Sequence, residues 1–89
     1  MARLDLGNTE LATMGGQPAG PDILLQMGLD CACGRHGETD LVSAHKWLNL
    51  AAMKGNTDAV RHRRDIAGEM SRSEVAEAQR AAREWLSLN

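Results

Sequence analysis

Apolar side chains recur at helical spacing along most of this sequence, and four separate stretches carry the pattern. From Pro21 to Cys33, Ile23, Leu24, Leu25, Met27, Leu29 and Cys31 surround a thin polar stripe of Asp22, Gln26 and Asp30 at i, i+4 and i+8. Proline suits the first helical position, where its missing N–H would have no intrahelical partner, and Gly34 supplies a stop. A helix apolar around most of its circumference needs cover on more than one side, from the leading residues or from another chain.

The second helix is predicted over Leu41–Lys54. Asp40 (or Thr39) caps it, Leu41, Ala44, Trp47, Leu48 and Ala51 form its apolar face, and Gly55 ends it. Asn56 caps a third helix from Thr57 to about Met70, with Ala59, Val60, Ile66, Ala67 and Met70 turned inward. Ser71 followed by Glu74 is a capping box for a fourth helix, Arg72 to about Ser87. Val75, Ala78, Ala82, Trp85 and Leu86 line one side of it, while Glu77 with Arg80 and Arg80 with Glu84 stand at pairing distance on the other. Four helices joined by short turns predict an all-α fold of antiparallel helical hairpins. Residues 1–20 read instead as a loose leader broken by Gly7, Gly15, Gly16, Pro18 and Gly20. Its Leu4, Leu6, Leu11 and Met14 are available to cover part of the core. The helical domain is therefore assigned to residues 21–89.

Composition supports this picture. The 89 residues suffice for one modest domain. Aromatic residues make up 2% of the chain, two Trp with no Phe or Tyr, while alanine and glycine abound. Such a chain favours helices that approach closely through small side chains over β-structure. The net charge of −2 argues against a general nucleic-acid binder. Charge is uneven, however: residues 1–45 carry six acids and two bases, residues 46–89 six acids and eight bases. That polarity would orient a partner or a second copy, although a merely uneven solvated surface is the plainer reading. Asp5 interrupts any signal-peptide core, and the apolar stretch Ile23–Cys33 is too short to cross a bilayer. A soluble, cytoplasmic protein is expected.

One stretch is more specific than amphipathic pattern. It reads Met27-Gly-Leu-Asp-Cys-Ala-Cys-Gly34 and then, after a loop, Asp40-Leu-Val-Ser-Ala44-His-Lys-Trp47-Leu-Asn-Leu-Ala51-Ala52-Met-Lys-Gly55-Asn-Thr-Asp-Ala59. Gly28 in mid-helix costs about 1 kcal/mol against alanine, which points to a backbone pressed against a neighbour. Ala44, Ala51 and Ala59 offer small surfaces at helix crossings, Trp47 fills the wedge where helices splay, and Gly34 and Gly55 permit tight turns. The ordered set Gly28, Gly34, Asp40, Ala44, Trp47, Ala51, Ala52, Gly55 and Ala59 resembles the Sel-one-like repeat, a branch of the tetratricopeptide-like solenoids. The likeness covers about residues 24–59. It departs from the family at Cys31, where an aromatic is usual, and the glycine pattern fades after Ala59. Residues 71–88 look similar to the terminal capping helix of bacterial repeat proteins. The resemblance implies a short α–α superhelix that works as a scaffold, often in bacterial signalling or assembly, with a groove for another protein chain.

Other chemistry is weaker. Cys31, Cys33, His36, His45 and His62 invite a metal-site reading, but Cys-x-Cys-x2-His is not a standard zinc spacing and thiols at i and i+2 diverge on a helix. Cys31 is more simply core filler, and both cysteines read as reduced thiols. No pattern supplies a nucleophile with its base, so neither catalysis nor a cofactor is expected. The run Arg61-His62-Arg63-Arg64 would meet phosphates or an acidic peptide. The plainer reading is a solvated face in which Arg61 pairs with Asp65. A small metal- or nucleic-acid-responsive regulator is the alternative function. On the leading reading, a protein-interaction module with a possible self-association surface on the first helix, the partner-facing residues are expected to be Lys46, Asn49, Lys54, Arg61 and Arg64.

Overall fold

The computed structural model describes residues 20–35 and 37–88, which form four α-helices and, among the described residues, no strand. α1 spans Pro21–Cys33, α2 Leu41–Met53, α3 Thr57–Ala67 and α4 Arg72–Leu88. The expected leader lies outside the described residues apart from Gly20, and so does the cover it was to give the first helix.

Local chemistry explains the helix ends. Pro21 opens α1, and Gly34 closes it in the left-handed region at φ 73°, donating its N–H to the Asp30 carbonyl. The Asp40 carboxylate accepts from the Ser43 N–H at 3.0 Å and from the Ser43 hydroxyl at 2.8 Å, so α2 starts at Leu41. It stops at Met53, one position before the expected Lys54, and Gly55 turns the chain at φ 105°. The Asn56 side-chain oxygen accepts from the Ala59 N–H at 3.0 Å. Ser71 and Glu74 close the capping box reciprocally, at 2.8 and 3.1 Å. α3 ends at Ala67 rather than Met70. There the backbone tightens, Glu69 N–H bonding the Ile66 carbonyl and Met70 N–H the Ala67 carbonyl, so the apolar period outlasts the helix.

The second helix is the centre of the domain, because α1, α3 and α4 each pack against it. In a plain row of hairpins each helix would meet chiefly its neighbour in sequence; here α4 returns to α2. Burial follows from this arrangement. Leu24, Ala44, Leu48, Leu50, Ala51 and Ala59 are fully buried, with Ile66 and Ala82 nearly so. At 3.6 residues per turn Leu50 lies on the side of α2 opposite Leu41, so the helix is covered on more than its expected face. At the α1–α2 crossing a Cβ on Gly28 would stand 2.7 Å from Leu48 Cγ and 3.2 Å from the Ala44 carbonyl oxygen. Glycine is what lets these backbones approach. Between α2 and α4, Trp47 and Trp85 meet edge to face, centroids 5.9 Å apart and planes at 85°.

Polar ties are few. Asn56 Nδ2 donates to Asp22 Oδ1 at 3.2 Å, joining the starts of α3 and α1. Arg80 pairs with Glu84 at 3.7 Å, as expected. Arg61 pairs with Asp58 at 3.7 Å instead of Asp65, the nearer partner one turn toward the helix start. Such exposed pairs add little stability. Asn56 carries more, since it both caps α3 and reaches α1. Asn56→Ala should lower the urea midpoint by the equivalent of about 0.5–2 kcal/mol, the usual cost of a lost N-cap. Asn56→Asp keeps the cap but sets a second carboxylate against Asp22, and should recover only part of that loss.

Candidate interaction cleft

Because α3 and α4 both lie on α2, an open cleft of about 410 Å³ remains between them. Its polar side chains are His45 and Asn49 from α2, Arg63 and Arg64 from α3, and Gln79 from α4; Val60, Ala67 and Val75 supply aliphatic wall. No carboxylate lines it. Asn49 Oδ1 accepts from Arg63 Nη1 at 2.6 Å, fixing the guanidinium against α2 without neutralising it. Among the described residues neither Arg63 nor Arg64 forms an ion pair.

His45 is the buried polar side chain of the described core, 4% exposed, and its Nδ1 has no hydrogen-bond partner there. Burial, and then the charge of Arg63, depress its pKa below the ordinary imidazole value. The folded protein thus holds His45 neutral, while the unfolded chain takes up a proton as pH falls through the ordinary value of about 6.5. Stability from this group is fully present above that pH and declines below it. Thermal melts should show a loss between about pH 7 and pH 5.5, and His45→Leu should flatten that limb. Asp40 acts further into acid. Hydrogen bonds from the Ser43 backbone and hydroxyl hold its carboxyl below the usual range, so its contribution persists to low pH and vanishes as pH falls through the lowered value.

Of the five expected partner-facing residues, Asn49 and Arg64 come together in this cleft. The other three lie outside its lining. Lys46 Nζ sits 4.0 Å over the Trp47 ring, Lys54 caps the end of α2, and Arg61 is engaged with Asp58. Sequence reasoning missed His45, Arg63 and Gln79 as parts of one site. The i, i+4 spacing of His45 and Asn49 was visible, but nothing local indicated that α4 would return to α2.

The cysteines diverge as expected. Cys31 is half-buried against the core, and burial, followed by the nearby Asp40 and Asp30 charges, raises its thiol pKa, leaving little reactive thiolate. Cys33 is exposed and turns its thiol to the Asp30 carbonyl at 3.6 Å. Among the described residues no group of three His, Cys, Asp or Glu side chains is placed to hold a metal; His36 lies outside them. None of the described helices is long and apolar enough to cross a membrane. Comparison with known proteins gives no match: no family model fits the chain, and no curated protein or solved structure is significantly similar to it.

Proposed function

We propose that this chain is a non-enzymatic protein-interaction module of the Sel-one-like repeat type, a small cytoplasmic scaffold that holds a partner chain against α2, α3 and α4. The observation that carries the reading is the cleft left open where two helices lie side by side on a third, lined by donors with no carboxylate of the protein to occupy them. Three features support the repeat assignment. Gly28 is pressed against α2, as the motif requires. α3 begins about 36 residues after α1, close to the roughly 34-residue unit of tetratricopeptide repeats. The Asp22–Asn56 bond ties the first turn of α1 to the start of α3, and α4 then takes the part of a capping helix. Ile23, half exposed on α1, offers a surface for a second copy.

The test is affinity capture from the native cell with the parent chain and an Arg64→Glu variant, which reverses a charge in the cleft. The parent should retain a defined partner that the variant loses. Identical retention by both, or none by the parent, contradicts the reading.

A further inference from the structure

We propose that the cleft between α2, α3 and α4 recognises a side-chain carboxylate on an acidic segment of the partner, with Arg63 and Arg64 supplying the charge and His45 the floor. The proposal deepens the interaction reading and rests on it. Two arginines, adjacent in sequence on α3, line one concave surface whose lining includes no acid. Arg63 is held by the neutral Asn49 oxygen, so it is already positioned and still carries its charge. That prior ordering lowers the entropy lost when a ligand binds. A planar carboxylate matches the guanidinium fork, Gln79 adds an amide donor, and Val60, Ala67 and Val75 suit the methylene stem of an acidic side chain. The volume lies within the roughly 300–1,000 Å³ typical of ligand clefts.

The imidazole is the second, independent observation. His45 is almost wholly buried in the cleft wall, and its Nδ1 lacks the partner that buried polar atoms nearly always have. That nitrogen is itself covered, so a bound carboxylate acts on the ring through Arg63 and not by direct contact. Arg63 on α3 is the charge that acts on His45, and Arg64 lines the same cleft; Asn49 on its own helix and Val75 and Gln79 from α4 are uncharged. A bound carboxylate offsets the Arg63 charge that helps keep the ring neutral. Binding should then be accompanied by proton uptake and tighten as pH falls through the histidine range.

Calorimetric titration of the full chain with a capped peptide of alternating glutamate and alanine tests this. Its glutamine counterpart, succinate and inorganic phosphate serve as comparison ligands. The glutamate peptide should bind and the glutamine peptide should not. Affinity should be greater at about pH 6 than at pH 7.5, and the His45 ring-proton NMR signals should move on addition. Arg64→Gln should weaken binding roughly tenfold or more, as should Arg63→Gln. Arg61→Gln removes the same charge outside the cleft and should change it by less than about twofold. Equal losses from Arg61→Gln and Arg64→Gln would reduce the effect to diffuse attraction and overturn the site. Tighter binding of phosphate than of the peptide overturns the carboxylate assignment, and binding of succinate alone overturns the acidic segment. The two readings fail separately. A captured partner that is lost with Arg64→Glu but is indifferent to Arg63→Gln and Arg64→Gln removes this inference and leaves the module standing. Peptide binding without any captured protein contradicts the module and, with it, the partner segment, leaving only a cleft that takes carboxylates.

Discussion

Replacing Gly28 with leucine is expected to abolish cooperative folding of the domain. The position is helical, so any side chain there gains up to about 1 kcal/mol of helix propensity over glycine. Against that stands the crossing with α2. A Cβ would lie 2.7 Å from Leu48 Cγ and 2.9 Å from Leu48 Cδ2, with the Ala44 backbone oxygen at 3.2 Å. The nearest atom is the branch point of a fully buried side chain, and the backbone behind it cannot yield without moving α2. Overpacking of this kind typically costs about 1–3 kcal/mol for added methylenes, so alanine alone should be neutral to destabilising, and leucine should force α1 off α2. Small domains have little stability to lose, total values starting near 5 kcal/mol. Circular dichroism should show Gly28→Leu melting broadly and non-cooperatively, while Gly28→Ala retains a sharp transition at or somewhat below the parent temperature.

Leu48→Ala should be the most damaging truncation. Leu48 is wholly buried on the helix against which the other three pack, so its removal opens a cavity at the middle of the domain. Large-to-small changes at such positions cost about 2–5 kcal/mol, depending on how far the surroundings collapse. For a domain of this size that corresponds to a fall in melting temperature of roughly 10 °C or more. Leu88→Ala, at an exposed position near the end of α4, removes the same side chain and should change the melting temperature little.

The helix starts were legible in the sequence because each is marked by a residue whose side chain or ring does something specific there. Pro21 lacks a donor the helix would not use, and Asp40, Asn56 and Ser71 with Glu74 satisfy free amides. The end of α3 was misjudged because Met70 keeps the apolar period after the backbone has tightened at Ala67. The burial of Leu50 and His45 was missed for a different reason. A single apolar stripe presumes one neighbour, whereas α2 has three, and only long-range packing decides that. The same limit governed the cleft. Exposed polarity singled out Lys46, Lys54 and Arg61, yet a tryptophan ring, a helix end and Asp58 lie beside them. Asn49 and Arg64 line the cleft, but the faces of α2, α3 and α4 that bring His45, Arg63 and Gln79 to the same place are far apart in sequence.

The most direct measurement is a double-mutant cycle between Gly28→Ala and Leu48→Ala, read by urea unfolding. If the α1 backbone rests on the Leu48 side chain, Gly28→Ala should become stabilising once that side chain is gone. The coupling should then reach about 1 kcal/mol or more, as for residues in contact. Effects that add to within about 0.3–0.5 kcal/mol would show that the two positions do not touch in solution, and would contradict the packing from which the rest of the domain is built.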